Sequence, residues 1–252
     1  SSCPFVSWCL RVLVAKFIAE KNLKYHKTGK NTIDFFFLLA YYKEKPNLRS
    51  IKMFEANVYV ERRKLLKDKV KSGLILLLGN NESPMNYPAN PFHFRQDSTF
   101  LYFFGQDKPG FTGLIDVEED KDYLYGEDFT LDDIIWMGPQ PTVKELALQA
   151  GTAHSGSPAQ LAEKLHQAIS QNRKIHFLPP YRAENLLMVE KLLGISSSMV
   201  KKYVSVELIK AVVALRSEKS DAEVNEIEKA LDIANEMYIT VMQRALPGTY
   251  ER

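Results

Sequence analysis

Cysteine is nearly missing from this chain. Its 252 residues hold two, Cys3 and Cys9, and none follows. A disulfide framework and cysteine catalysis are excluded from everything downstream. Histidine is scarce too. His26, His93, His154, His166 and His176 show no HExxH or other close ligand spacing, so each reads as an ordinary surface or loop residue. No Gly-x-Ser-x-Gly elbow surrounds His154-Ser155-Gly156, which argues against a serine hydrolase. Gly79-Asn80-Asn81-Glu82 lacks the second glycine and the Lys-Ser/Thr pair of a phosphate loop. Long apolar runs are also wanting. Residues 35–42 are too short to span a bilayer, and Arg11 and Lys16 interrupt the apolar stretch 4–18.

What is present is an ordinary globular composition, 45% hydrophobic and 25% charged. The net charge of +2 hides an asymmetry. Residues 1–52 carry 10 Lys and Arg against 3 Asp and Glu, while the remainder is net −5. Nucleic-acid binding would rest on the first segment alone. That segment holds both cysteines, and the first methionine is Met53. Its Lys, Asn, Ile, Phe and Tyr bias suits translated AT-rich DNA, so residues 1–52 are expected to be a non-native or disordered upstream extension. The alternative is a targeting or anchor segment, but no small-residue cleavage site stands out.

From residue 55 to 71 the pattern is helical, with Val58, Leu65, Leu66 and Val70 on one side. Leu74-Ile75-Leu76-Leu77-Leu78 is a continuous apolar run, as in a strand covered on both faces. Residues 111–117, 123–125 and 174–178 read as strands. Residues 143–150, 158–170, 183–193 and 206–215 read as helices. The acidic stretch 118–122 reads as a solvated turn. Thr130 with Asp132 and Asp133 marks a helical start, where acids suit the dipole. Ser220-Asp221-Ala222-Glu223 is a capping box opening a helix to residue 246. Its Val224, Ile227, Leu231, Ala234, Met237, Val241 and Ala245 form one apolar face. At 1.5 Å per residue the helix is about 40 Å long and needs a partner surface. Alternating strands and helices make the fold α/β with a covered sheet.

The densest chemistry lies in residues 86–105, NYPANPFHFRQDSTFLYFFG. Pro88 and Pro91 each remove a donor, and Asn86 and Asn90 favour turns. Residues 99–104, β-branched and aromatic, read as a buried strand ended by Gly105. Tyr87, Arg95, Gln96, Asp97 and Ser98 are the candidate structural or interface residues. A polar entry loop would have Asp97 or Ser98 bonding local amides and Arg95 pairing with a carboxylate. Asp122 and Asp133 have ten residues between them, with no His, Glu, Glu series after them.

The ordered series RR, GNNESPMNY, FRQDSTFLYFFG, WMG and LRSEKS resembles the N-terminal domain of the Xaa-Pro aminopeptidases (aminopeptidase P). The likeness runs from about residue 54 to the end. It implies a creatinase/aminopeptidase P N-terminal-type domain, a mixed sheet flanked by helices, over residues 53–200. A linker helix and the start of a truncated pita-bread peptidase domain would fill residues 201–252. Family members remove an N-terminal residue preceding proline, using two divalent metals, usually manganese, held by five ligands: two aspartates with that ten-residue gap, then a His, Glu, Glu set. The resemblance puts those ligands beyond Arg252, which leaves no catalytic or metal residue to assign here and makes the Asp122/Asp133 gap a coincidence. It implies peptides with proline second as the parent's partners, a homo-oligomer, neither nucleic acid nor membrane, and a cytoplasmic location. The alternatives are a stand-alone interaction domain without catalysis and the front of a prolidase.

Overall fold

A computed structural model describes residues 54–245 and 248; the expectations for residues 1–52 lie outside it. The continuous apolar run forms β1 (Leu74–Leu78), the fourth strand of a five-stranded sheet. The others are β2 (Thr112–Asp116), β3 (Lys121–Tyr125), β4 (His154–Gly156) and β5 (Ile175–Phe177), in the order β4-β3-β2-β1-β5. β1 pairs antiparallel with β2 and β2 with β3, while β4 and β5 join parallel. The sheet is mixed, with helices on both faces.

β1 shows why its sequence does not alternate. Ile75 and Leu77 enter one core with Leu66, Phe100, Phe104 and Leu208; Leu74 and Leu76 enter a second with Leu161, Leu165 and Val189. The first core lies under helices α1 (Ala56–Val70), α2 (Ser98–Phe104), α4 (Val143–Gln149) and α8 (Val206–Ser217). The second lies under α5 (Pro158–Ser170), α6 (Ala183–Leu193) and the short α7 (Val200–Tyr203). Two elements stand outside both cores: α3 (Leu131–Met137) and α9 (Asp221–Arg244), neither with a buried residue.

Residues 99–104 are a helix, not the expected strand. Asp97 accepts from the amides of Thr99 and Phe100 at 2.9 and 2.8 Å, and Gly105 closes the turn at φ 66°. Helical spacing puts Phe100, Phe103 and Phe104 together in the core, with the Phe100 and Phe104 rings stacked 5.5 Å apart. A strand would have turned Phe103 away from the other two. Packing and a cap override the β preference of the composition. Gly105 is required twice over: its φ suits glycine, and a Cβ there would run into the Tyr59 ring.

The face of α1 also differs. Its buried residues are Tyr59, Arg62, Arg63, Leu66 and Val70, while Leu65 is exposed. Two arginines displace an aliphatic residue from the inner face because each finds buried partners there.

Candidate functional site

The Arg-Gln-Asp-Ser turn divides by role. Gln96 is buried and uses its whole amide. Its Oε1 accepts from the Asn80 and Asp97 amides at 2.7 and 2.9 Å, and its Nε2 donates to the Gln106 and Lys108 carbonyls at 3.1 and 2.7 Å. One side chain thus ties the exit of β1 to the loops on both sides of α2. Asp97 is the N-cap of α2. Ser98 is exposed at its first turn, with Arg216 reaching its hydroxyl at 3.4 Å and that of Thr99 at 3.1 Å. Among the described residues, the expected carboxylate partner of Arg95 is absent. Its side chain is exposed, and the residue takes part through its carbonyl, which accepts from Asn80 Nδ2 at 2.9 Å. The chain passes Arg95 with the backbone inward, so the guanidinium points to water. Tyr87 is 55% exposed.

Asn80 is the residue that sequence reasoning missed. It is buried and bonded through its backbone to Gln96 and Gly110. Its side chain bonds Arg95, Tyr181 and Asn185. The only signal was an amide directly after a strand buried on both faces.

The acidic stretch 118–122 holds the expected exposed turn between β2 and β3, and it is also an ion-pair hub. Arg173 grips Asp116 with both terminal nitrogens and reaches Glu118, and Lys164 stands 3.4 Å from Asp116. Burial pushes the Asp116 carboxyl up, but these cations outweigh it and hold it below the usual range. Asp122 takes Arg63 Nε at 2.7 Å and Lys67 at 3.3 Å, and Asp120 takes Lys67 at 2.6 Å. Arg63 also donates to the carbonyls of Phe103 and Gly151 at 2.7 and 3.2 Å. Each acid faces a cation from another element, so the loop fastens α1, β2, β3 and α5 together.

The Asp122–Asp133 pair does not converge. Asp122 is committed to Arg63 and Lys67, whereas Asp133 closes the capping box of α3 by accepting from the Thr130 amide at 2.9 Å. Among the described residues, no three His, Cys, Asp or Glu side chains gather as a metal site. His176 corrects the reading of the histidines as surface groups, for it is fully buried on β5. Its Nε2 lies 3.0 Å from the Ser72 carbonyl and must donate to it. Its Nδ1, 2.6 Å from Ser205 Oγ, therefore accepts that hydroxyl's proton. A cleft of about 480 Å³ beside Glu127, Asp128 and Lys144 is largely self-satisfied, since Asp128 accepts from the Val143 amide at 2.6 Å.

Among the described residues, two helices leave a group of apolar side chains exposed. On α3, Trp136 is 87% exposed beside Ile135 and Met137. On α9, Ile227, Leu231, Met237, Val241 and Met242 are all exposed. No described helix is long and apolar enough to cross a membrane.

The described residues form a three-layer α/β domain with a mixed sheet, polar side chains committed to structural ties, and two helices with exposed apolar residues. The chain matches the family model for the aminopeptidase P N-terminal domain over residues 59–176. It resembles the N-terminal part of Xaa-Pro aminopeptidases. A probable Xaa-Pro aminopeptidase of Aspergillus flavus is 32% identical over 112 residues, covering 44% of this chain and 23% of the relative. One from Metarhizium acridum is 28% identical over 193 residues, covering 75% and 36%. The chain thus spans well under half the length of these curated relatives. Escherichia coli aminopeptidase P in its low-pH form shares the fold at a TM-score of 0.65 and 18% identity, over 79% of this chain and 47% of that one. The same enzyme with the inhibitor Pro-Leu gives 0.64, with 18% identity and the same coverage.

Proposed function

We propose that this chain is the N-terminal part of a metallo-aminopeptidase that releases an N-terminal residue preceding proline. Its own share is contact: shaping the entrance to an active site and holding subunits together. The apolar stripe of α9 carries the reading. A 24-residue helix with no buried residue is stable as part of a larger core, and the curated relatives are long enough to supply one. In such an enzyme two divalent metals, manganese by family expectation, would supply the nucleophilic hydroxide and the Lewis acid. The described residues do not fit that centre, because Asp122 and Asp133 are spent on an ion pair and a cap. Tyr87, Arg95 and the α3 apolar residues are the surface groups offered for contact with a second copy. Peptides with proline in second place are the substrates of the whole enzyme, and its place is the cytoplasm, with neither nucleic acid nor membrane as partner.

The test compares this chain with the full-length product of the gene. Manganese binding is read by calorimetry and activity by cleavage of Xaa-Pro peptides. The longer protein should do both, and this chain neither. An inert full-length product would replace the reading with a stand-alone interaction domain. Stoichiometric manganese on this chain, lost in Asp122→Asn or Asp133→Asn, would overturn it from the other side.

A further inference from the structure

The joint between α8 and α9 is fastened in an unusual way. Arg62, on the inner face of α1, has its guanidinium 3.9 Å from the Tyr102 ring centroid and 4.7 Å from that of Phe54. Its Nη1 donates to the Tyr102 carbonyl at 2.9 Å. Its Nη2 makes no directed hydrogen bond and faces Glu223 Oε1 at 3.3 Å. The two side chains are only 8% and 15% exposed. Glu223 splits its oxygens: Oε2 accepts from the Ser220 amide and hydroxyl at 3.0 and 2.9 Å, closing the cap of α9, and leaves Oε1 for Arg62. Tyr102 serves the same joint, its hydroxyl donating to the Leu215 carbonyl at 3.1 Å and its ring lying 5.7 Å from the Arg216 guanidinium. Burial pushes the Glu223 carboxyl up, but the Ser220 bonds and the Arg62 charge hold it below the usual range. Among the described residues, Arg62–Glu223 is the only ion pair tying α9 to the rest of the domain.

We propose that Arg62 and Glu223 are positioning residues: a latch that sets the direction in which α9 leaves the domain, and so how the surface covering α9 is seated. The proposal rests on the reading of α9 as a docking helix. It makes Glu223 more than a cap. A capping box needs only an oxygen reaching back to the N-cap amide, which glutamine supplies as well as glutamate. The latch needs the charge, because Arg62 Nη2 is buried with no other acceptor among the described residues.

Glu223→Gln therefore separates the two duties. Spin labels at Gln167→Cys on α5 and Asn235→Cys on α9, both exposed, report the direction of α9 when Cys3 and Cys9 are replaced by serine. The parent chain should give one narrow distance distribution. Glu223→Gln should lose the narrow peak while its far-UV dichroism and the melting temperature of the domain stay unchanged. Arg62→Gln should lose it too, and the double variant should be no broader than either single one. A distribution as narrow in Glu223→Gln as in the parent would overturn the proposal. So would a broad parent distribution, or broadening that appears only with loss of helix. The measurement needs no peptidase activity, so the latch and the aminopeptidase reading can fail separately.

Discussion

α1 and α9 invert the ordinary relation between polarity and burial. α1 presents two arginines to the interior and leaves Leu65 in water. α9 carries a stripe of Ile, Leu, Met and Val and buries none of it. Neither position follows from the side chains alone. Arg63 is affordable inside because Asp122 and two carbonyls complete its bonds, and Leu231 is exposed because no described element lies opposite. Burial here is a property of the partner surface as much as of the residue.

The strongest way to break the contrast is to remove the inner cation of α1. Arg63→Ala strips Asp122 of its closest partner and leaves the Phe103 and Gly151 carbonyls short of a donor. It should cost about 3 kcal/mol or more, read as a fall in the urea midpoint. A shift typical of a surface site would mean that Lys67 alone satisfies Asp122.

His176 gives a smaller, pH-dependent effect on the same interior. Its folded pKa lies below the ordinary value because burial disfavours the cation, with Lys174 adding to this and Glu207 and Glu118 opposing. Below the unfolded value of about 6.5 the unfolded chain takes up a proton that the folded one resists. Stability should be level above that pH and fall below it, by at most about 1.4 kcal/mol per pH unit. His176→Gln should flatten this part of the profile, and an unchanged slope would assign it to other groups.

On the open side the expected effects are slight. Leu231→Lys should move the stability of this chain by no more than about 0.5 kcal/mol, because no buried contact is lost. In the longer enzyme proposed above, the same change should be markedly destabilising, and equality of the two would show that α9 stays uncovered. Arg95→Ala should do least of all, within about 0.5 kcal/mol, since its side chain is exposed and its carbonyl keeps the bond to Asn80. A loss of several kcal/mol would restore the pairing that the sequence suggested.

The sheet was readable where local pattern and tertiary role agree. The unbroken Leu74–Leu78 run announces two covered faces, and the Ser220–Glu223 box marks a helix start on the right residues. Residues 99–104 misled because aromatic content fits a strand or a buried helix equally, and only the Asp97 cap and the phenylalanine spacing decide. The site was legible in part. Asp97 bonding local amides is a short-range interaction and could be foreseen. Gln96 and Asn80 act across gaps of 10 to 105 residues, and Arg63 across 59 to reach Asp122. No local spacing encodes such partners. The acidic run reads correctly as an exposed turn, but its ion partners were not legible for the same reason, since the cations come from α1, α5 and the turn before β5.

The exposure of Trp136 has an optical consequence. It is the single tryptophan among the described residues, and 87% of it already meets solvent. Unfolding leaves its indole in much the surroundings it had, so its emission is nearly blind to the loss of the core. Covering α3 with another surface would instead shift that emission to the blue. The domain thus carries a chromophore that reports association and ignores melting, and Trp8→Phe would isolate its signal.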